Sequence, residues 1–167
     1  MKVIKQVIYV LVFTLIAIAL FAIWYKATYS MGIAAPYELN DPGLANRVLI
    51  ATQESPFKKA LTEDIVNQIK GQPIYIRVID VTELDVIDPA TWTAIVVMHT
   101  WEIGEPEEHA QAFVTRAPRG KTIVITTSGG GDQVISGVDG ISAASKMDEA
   151  PRLASTVVDR INMLINH

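Results

Sequence analysis

From Val7 to Trp24 the chain reads VIYVLVFTLIAIALFAIW, 18 residues without a charged side chain, and Tyr25 extends the run. A helix needs about 20 apolar residues to cross the hydrocarbon core of a bilayer, so this segment can span one. A cleaved signal peptide is the competing reading, because Lys2 and Lys5 make a basic start and small residues follow at Gly32, Ala34 and Ala35. Signal peptides carry only about 7–15 apolar residues, which favours an uncleaved signal anchor over residues 1–26. Lys2 and Lys5 precede the span and only Lys26 closely follows it, so the positive-inside bias puts the N-terminus in the cytoplasm. The remainder of the chain is then expected on the periplasmic or extracellular side, with Trp24, Tyr25 and Tyr29 at the interface.

Charge narrows the partners. Of the 14 basic residues, Lys2, Lys5 and Lys26 belong to the anchor, which leaves 11 against 18 acidic ones, a net charge of −7 for the rest. Such a balance speaks against nucleic acid or an anionic lipid surface as partner. The chain has no cysteine, so disulfides, thiolate metal sites and cysteine nucleophiles are excluded.

Residues 27–46 mix Pro36, Pro42, Gly32 and Gly43 with polar residues and hold no period, the pattern of a linker or a surface-hugging arm. The folded domain is expected over 47–167. Strands are expected at 47–52, 74–81, 93–100 and 121–128, with a rudimentary fifth near Val138 to Ser142. Helices are expected at 55–71, with Ser55 as N-cap and Pro56 at its first position, at 105–117 with Pro106 at the first position, and at 150–166. Strands alternating with helices imply right-handed crossovers and a parallel sheet covered on both faces.

Three stretches, VLIATQESPFKKALTEDIV, AIVVMHTWEIGEPEEHAQAFV and GKTIVITTSGGGD, resemble the first, third and fourth strands of the flavodoxin-like fold with their following loops. The resemblance spans roughly Val48 to Ile165. It implies an α/β three-layer sandwich with a short parallel sheet of four to five strands in the order 2-1-3-4-5, preceded here by one N-terminal transmembrane helix. It also implies a ligand crevice at the carboxyl ends of the first and third strands. The residues expected to line that crevice are Thr52, Ser55, Lys58, His99, Thr100, Trp101, Ser128, Gly129, Gly130, Gly131 and Asp132.

The resemblance implies FMN as the group such a crevice holds, and this sequence departs from the pattern where it matters. A family loop like T-x-T-G-x-T offers hydroxyls and successive N–H groups to the phosphate. Here TQESPFK has no glycine, loses a donor at Pro56 and brings in the Glu54 carboxylate. Lys58 and Lys59 read as a solvated basic pair, and Trp101 as either a flavin-flanking aromatic or a partner contact. GVDGISAASK loosely resembles a covalent-FMN signal, with Asp139, Ser142 and Ser145 at the matching positions, but Ala143 and Ser145 stand where glycine and threonine are expected. No zinc or iron spacing, nucleophile elbow, Walker loop or dinucleotide fingerprint is present. His99 reads as a structural histidine, and no histidine is placed to activate Ser128.

The expectation is a cofactor-free accessory subunit, contacting other membrane-protein subunits through its helix and through Trp101 and linked to electron transfer or its assembly. The alternative is a tethered FMN electron carrier.

Overall fold

The computed structural model describes residues 2–29, 31–102 and 104–166. The side chains of Lys2, Tyr25, Lys26 and Tyr29 and the terminal His167 lie outside the described residues, and with them much of the expected interfacial belt. The chain divides into two units, 1–31 and 32–167.

The first unit is helix α1 (Lys2–Tyr29). Its Val3–Trp24 stretch has a mean hydropathy of 2.8 and is long and apolar enough to cross a membrane. None of that stretch is buried within the protein, as suits a surface that faces hydrocarbon.

The second unit is mixed α/β with a mostly parallel sheet. Its strands are β1 (Tyr37–Leu39), β2 (Asn46–Thr52), β3 (Ile74–Asp80), β4 (Ala94–Glu102), β5 (Glu105–Pro106), β6 (Thr122–Thr127) and β7 (Asp139–Ala143), and its helices are α2 (Pro56–Ile69), α3 (Glu108–Arg116) and α4 (Ala150–Ile165). The order is β1-β3-β2-β4-β6-β7, with β5 paired to β4. The five parallel strands therefore lie in the expected order, second, first, third, fourth, fifth.

The seven strands correct the expectation of four to five. The fifth parallel strand is present as β7, and the two additions are the antiparallel β1 and β5, three and two residues long. Neither is long enough to carry a period of two, so no alternation could mark it.

Burial follows from the continuous apolar runs of β2, β3, β4 and β6, which have no polar face. Val48, Ile50, Ile76, Val96 and Met98 join Leu61 and Ile65 of α2 and Leu153 and Val157 of α4 in one cluster. Leu49, Ala51, Ile79, Ile95 and Val97 join Phe113 and Val114 of α3 and Leu84 of the 3-10 turn Val81–Val86 in a second. The sheet thus has helices on α2 and α4 for one cluster and α3 for the other.

Two further boundaries are corrected. Pro106 belongs to β5, opposite Trp101, and α3 begins at Glu108 with the Glu107 carboxylate capping Ala110 N at 2.7 Å. Of the stretch 27–46 expected as a linker or surface-hugging arm, residues 32–45 run as an arm along the domain, and Asn46 already belongs to β2. Gly32 and Glu54 exchange backbone hydrogen bonds, Ala34 N donates to Asp80 Oδ2 at 2.7 Å, and β1 pairs with β3. Asn40, at φ 66, closes the arm by donating from Nδ2 to Ile74 O at 2.7 Å.

Candidate functional site at the carboxyl ends of β2, β4 and β6

Parallel pairing brings Thr52, His99 to Thr100 and Thr126 to Thr127 to one end of the sheet, where crossover loops leave strand ends free. Lys58 reaches this end from the first turn of α2. It is 1% exposed, so Lys58 is not half of a solvated pair, and only Lys59 is exposed. The sequence does carry a signal for this. Lys58 stands one turn before Leu61 and continues the Leu61, Ile65, Ile69 stripe that α2 buries.

Lys58 Nζ donates to Gln53 Oε1 at 2.8 Å and to Thr100 Oγ1. Gln53 Oε1 also accepts from Thr100 N at 2.9 Å. The hydroxyl of Thr127 donates to His99 O at 3.2 Å, so Thr100 Oγ1, 3.2 Å from Thr127 Oγ1, is the donor between the two threonines. The chain Lys58, Thr100, Thr127, His99 O is therefore ordered in one direction. Among the described residues no carboxylate lies within 4.0 Å of Lys58. Burial lowers its pKa to about 7, against the opposing fields of Glu102, Glu107 and Asp80. A neutral amine has two N–H groups, and the site supplies two acceptors.

His99 is fully buried beside this chain. Its Nδ1 lies 3.2 Å from Thr100 O, which can only accept, so Nδ1 carries the proton and Nε2 accepts from Thr126 Oγ1 at 2.9 Å. Desolvation brings its pKa down to about 4, with the Thr100 carbonyl opposing and Lys58 assisting. A neutral, doubly bonded imidazole of this kind orients strands and has no spare lone pair for a substrate. Among the described residues no group of three His, Asp or Glu is arranged to hold a metal.

In the loop between β2 and α2 two N–H groups are used internally and one is missing, while Ser55 N and Phe57 N have no acceptor among the described residues. Glu54 N donates to Gly32 O at 2.8 Å, Pro56 has no N–H, and Lys58 N donates to the N-cap Ser55 Oγ at 3.2 Å.

The remaining candidates form the rim. Trp101 is half-buried in a short hairpin between β4 and β5 and so sits on a strand end. Ser128 N donates to Ala143 O, and Ser128 Oγ accepts from Gly131 N at 2.9 Å, which folds the glycine loop on itself. Gly131 has φ +69, and a Cβ there would lie 2.9 Å from Ala144. Gly130 has no positive φ, and Gly129 and Asp132 are exposed. Of the loose covalent-FMN signal, Ser142 lies inside β7 with its hydroxyl buried, whereas Ser145, at the acceptor position, is exposed with φ 56. Sequence reasoning missed Gln53 and Asp80, both buried polar residues at strand ends.

Fold and site together define a mixed α/β domain in which Lys58, Gln53, Thr100, Thr127 and His99 form a hydrogen-bonded cluster at the parallel-strand ends. The sequence matches no protein-family model and none of the curated protein sequences. The metal-soaked Flv1 flavodiiron core from Synechocystis sp. PCC6803 is similar in fold, with TM-score 0.54 at 11% identity over 74% of this chain, which spans 37% of that one. An oxidoreductase from Corynebacterium diphtheriae aligns over 73% of this chain and 98% of its own at 11% identity, with TM-score 0.48.

Proposed function

We propose that this chain is a membrane-anchored, flavodoxin-like accessory domain, a three-layer module without a tightly bound cofactor that docks on a larger membrane complex concerned with electron transfer or its assembly. The observation that supports it is the reduced set of loop donors: Glu54 N–H serves Gly32, Pro56 has none and Lys58 N–H serves Ser55, which leaves Ser55 N and Phe57 N rather than an unbroken run of N–H groups. Phosphate binding at a helix start depends on N–H groups that point at the anion. Behind the loop, the Lys58 amine is already bonded to Gln53 and Thr100 and is shut away from water. The flavodiiron core that is similar in fold agrees with electron transfer as the setting. Lys2 and Lys5 support an N-terminus in the cytoplasm and a domain on the far side.

Partner contact then falls to the rim, where half-buried Trp101 is the aromatic anchor, and to the apolar helix. The tests are a visible spectrum of the purified protein and co-purification from native membranes. The protein is expected to be colourless near ~450 nm after desalting, where bound flavin absorbs. Trp101→Ala is expected to weaken co-purification, as is exchange of residues 7–24 for an unrelated apolar span. A yellow protein that bleaches on Trp101→Ala overturns this reading in favour of a tethered FMN carrier, the reading that the position of Trp101 at the end of β4 favours.

A further inference from the structure

The β4–β5 hairpin sets two carboxylates directly opposite each other, Glu102 on β4 and Glu105 on β5. Like charges in facing positions of an antiparallel pair repel. Both residues are exposed, and neither meets a cation within 4.0 Å among the described residues. Lys58 is tied to the same strand. Its amine donates to Thr100 Oγ1, and Thr100 and Glu102 stand at i and i+2 on one face of β4, about 7 Å apart along the strand. Burial opposes the charged form of Lys58, and the carboxylates of Glu102, Glu107 and Asp80 favour it. Asp80 already accepts from Ala34 N and from Thr82, and Glu107 caps Ala110 N, so of the three only Glu102 accepts no hydrogen bond among the described residues. The other elements around the amine add little charge. β6 brings the Thr127 hydroxyl, and His99 is kept neutral by desolvation, with its pKa down to about 4. Glu54 and Lys59 are exposed, and on α3 His109 is held by Asp85 at 2.9 Å.

We propose that the β4–β5 hairpin is a pH-sensitive element governed by Lys58. With the amine charged, its field offsets the repulsion between Glu102 and Glu105, and the hairpin holds Trp101 half-buried at the strand end. With the amine neutral, the two carboxylates repel unopposed and the hairpin opens, exposing Trp101 further. The coupling is reciprocal, because a carboxylate that favours the charged amine is favoured by it to the same extent. The Lys58 pKa of about 7 places the change near neutral pH. Hairpin order is lost as pH rises through that value, while the same deprotonation relieves the burial penalty of the core, so the two respond to pH in opposite directions. The element does not depend on the docking role proposed above, and its test reads neither a partner nor a flavin.

The experiment uses the full chain in detergent micelles, labelled with fluorotryptophan and followed by fluorine NMR from pH ~5.5 to ~9, a range that spans the titration of such an amine. The tryptophans are Trp24, Trp92 and Trp101, and Trp101→Phe assigns the resonance to be followed. That resonance is expected to move toward the position of solvent-exposed fluorotryptophan as pH rises, with one midpoint near pH 7, while that of buried Trp92 stays fixed. Lys58→Met is expected to abolish the movement. Glu102→Gln, at an exposed position, is expected to lower the midpoint by roughly half a pH unit or more, because a charge that favours the ammonium is gone. Glu105→Lys turns the opposed pair into an ion pair and is expected to hold the resonance at its low-pH position throughout. His109→Gln is expected to leave the titration in place. A Trp101 resonance that does not titrate overturns the proposal, as does a titration that survives Lys58→Met, keeps its midpoint in Glu102→Gln or disappears in His109→Gln. Full amplitude in Glu105→Lys also overturns it, since a field would then be acting without any change in the hairpin.

Discussion

A lysine amine that is 1% exposed and meets no carboxylate destabilises the fold whenever it is charged. Its folded pKa of about 7 lies below the ordinary 10.5 of the unfolded chain, so between those values the unfolded chain holds the extra proton. Stability contributed through Lys58 therefore rises with pH across that window, and below pH 7 the penalty is present in full. Urea unfolding of wild type and Lys58→Met at pH ~7 and ~9.5 is expected to show wild type gaining roughly 3 kcal/mol on the variant. Equal slopes in the two proteins would refute a buried, depressed amine. The glycine loop gives a second residue-scale expectation. Gly131→Ala is expected to cost about 1–2 kcal/mol for its left-handed backbone and more for the contact with Ala144, while Gly129→Ala, with open space around it, leaves the melting temperature near that of wild type. At this scale the sequence was legible only where spacing carried the signal. The stripe through Leu61, Ile65 and Ile69 included Lys58, whereas the partners Gln53 and Asp80 are single polar residues whose burial arises from strands far apart in the chain.

The elements with a sustained period were the legible ones. β2, β4 and β6 were expected from long apolar runs, and α2 and α4 from their stripes and, for α2, its cap. β1 was not, because its pairing with β3 depends on tertiary anchors at either end of the arm. The helix expected over 105–117 is present as α3, but its expected start at Pro106 gave way to β5, since a proline fits an edge position that needs no N–H as well as it fits the first turn of a helix. The arm itself is testable. Asp80 is 2% exposed and accepts from Ala34 N, Thr82 N and the Thr82 hydroxyl, so Asp80→Ala strands three donors. It is expected to destabilise the domain by roughly 2–3 kcal/mol. Limited proteolysis is expected to cut the variant within residues 31–46 before it cuts the sheet, and cleavage first in the core would argue against the arm as the weak element.

On the scale of the whole molecule, strand order was legible through the resemblance of the motif succession to the flavodoxin-like fold, which implies 2-1-3-4-5, the order the parallel strands take. The cluster at the strand ends was not, since it joins Lys58 to Thr100 across 42 positions of sequence. Orientation across a membrane is a separate expectation. A reporter fused at the C-terminus should be active only in its exported form, given two lysines ahead of the apolar run. A reporter active only in the cytoplasm would reverse the proposed topology. The ends of the sheet order carry a different consequence. Its long, apolar strands are all interior, and its two edges are β1, three residues with Pro36 ahead of it, and β7, five residues containing Asp139 and Gly140. Short, charged, proline-flanked edges are poor templates for pairing with another chain. If the chain is anchored as proposed, copies confined to a bilayer surface would meet at an effective concentration far above that in bulk solution, and blunt edges would keep such a crowded population from zipping together into aggregates.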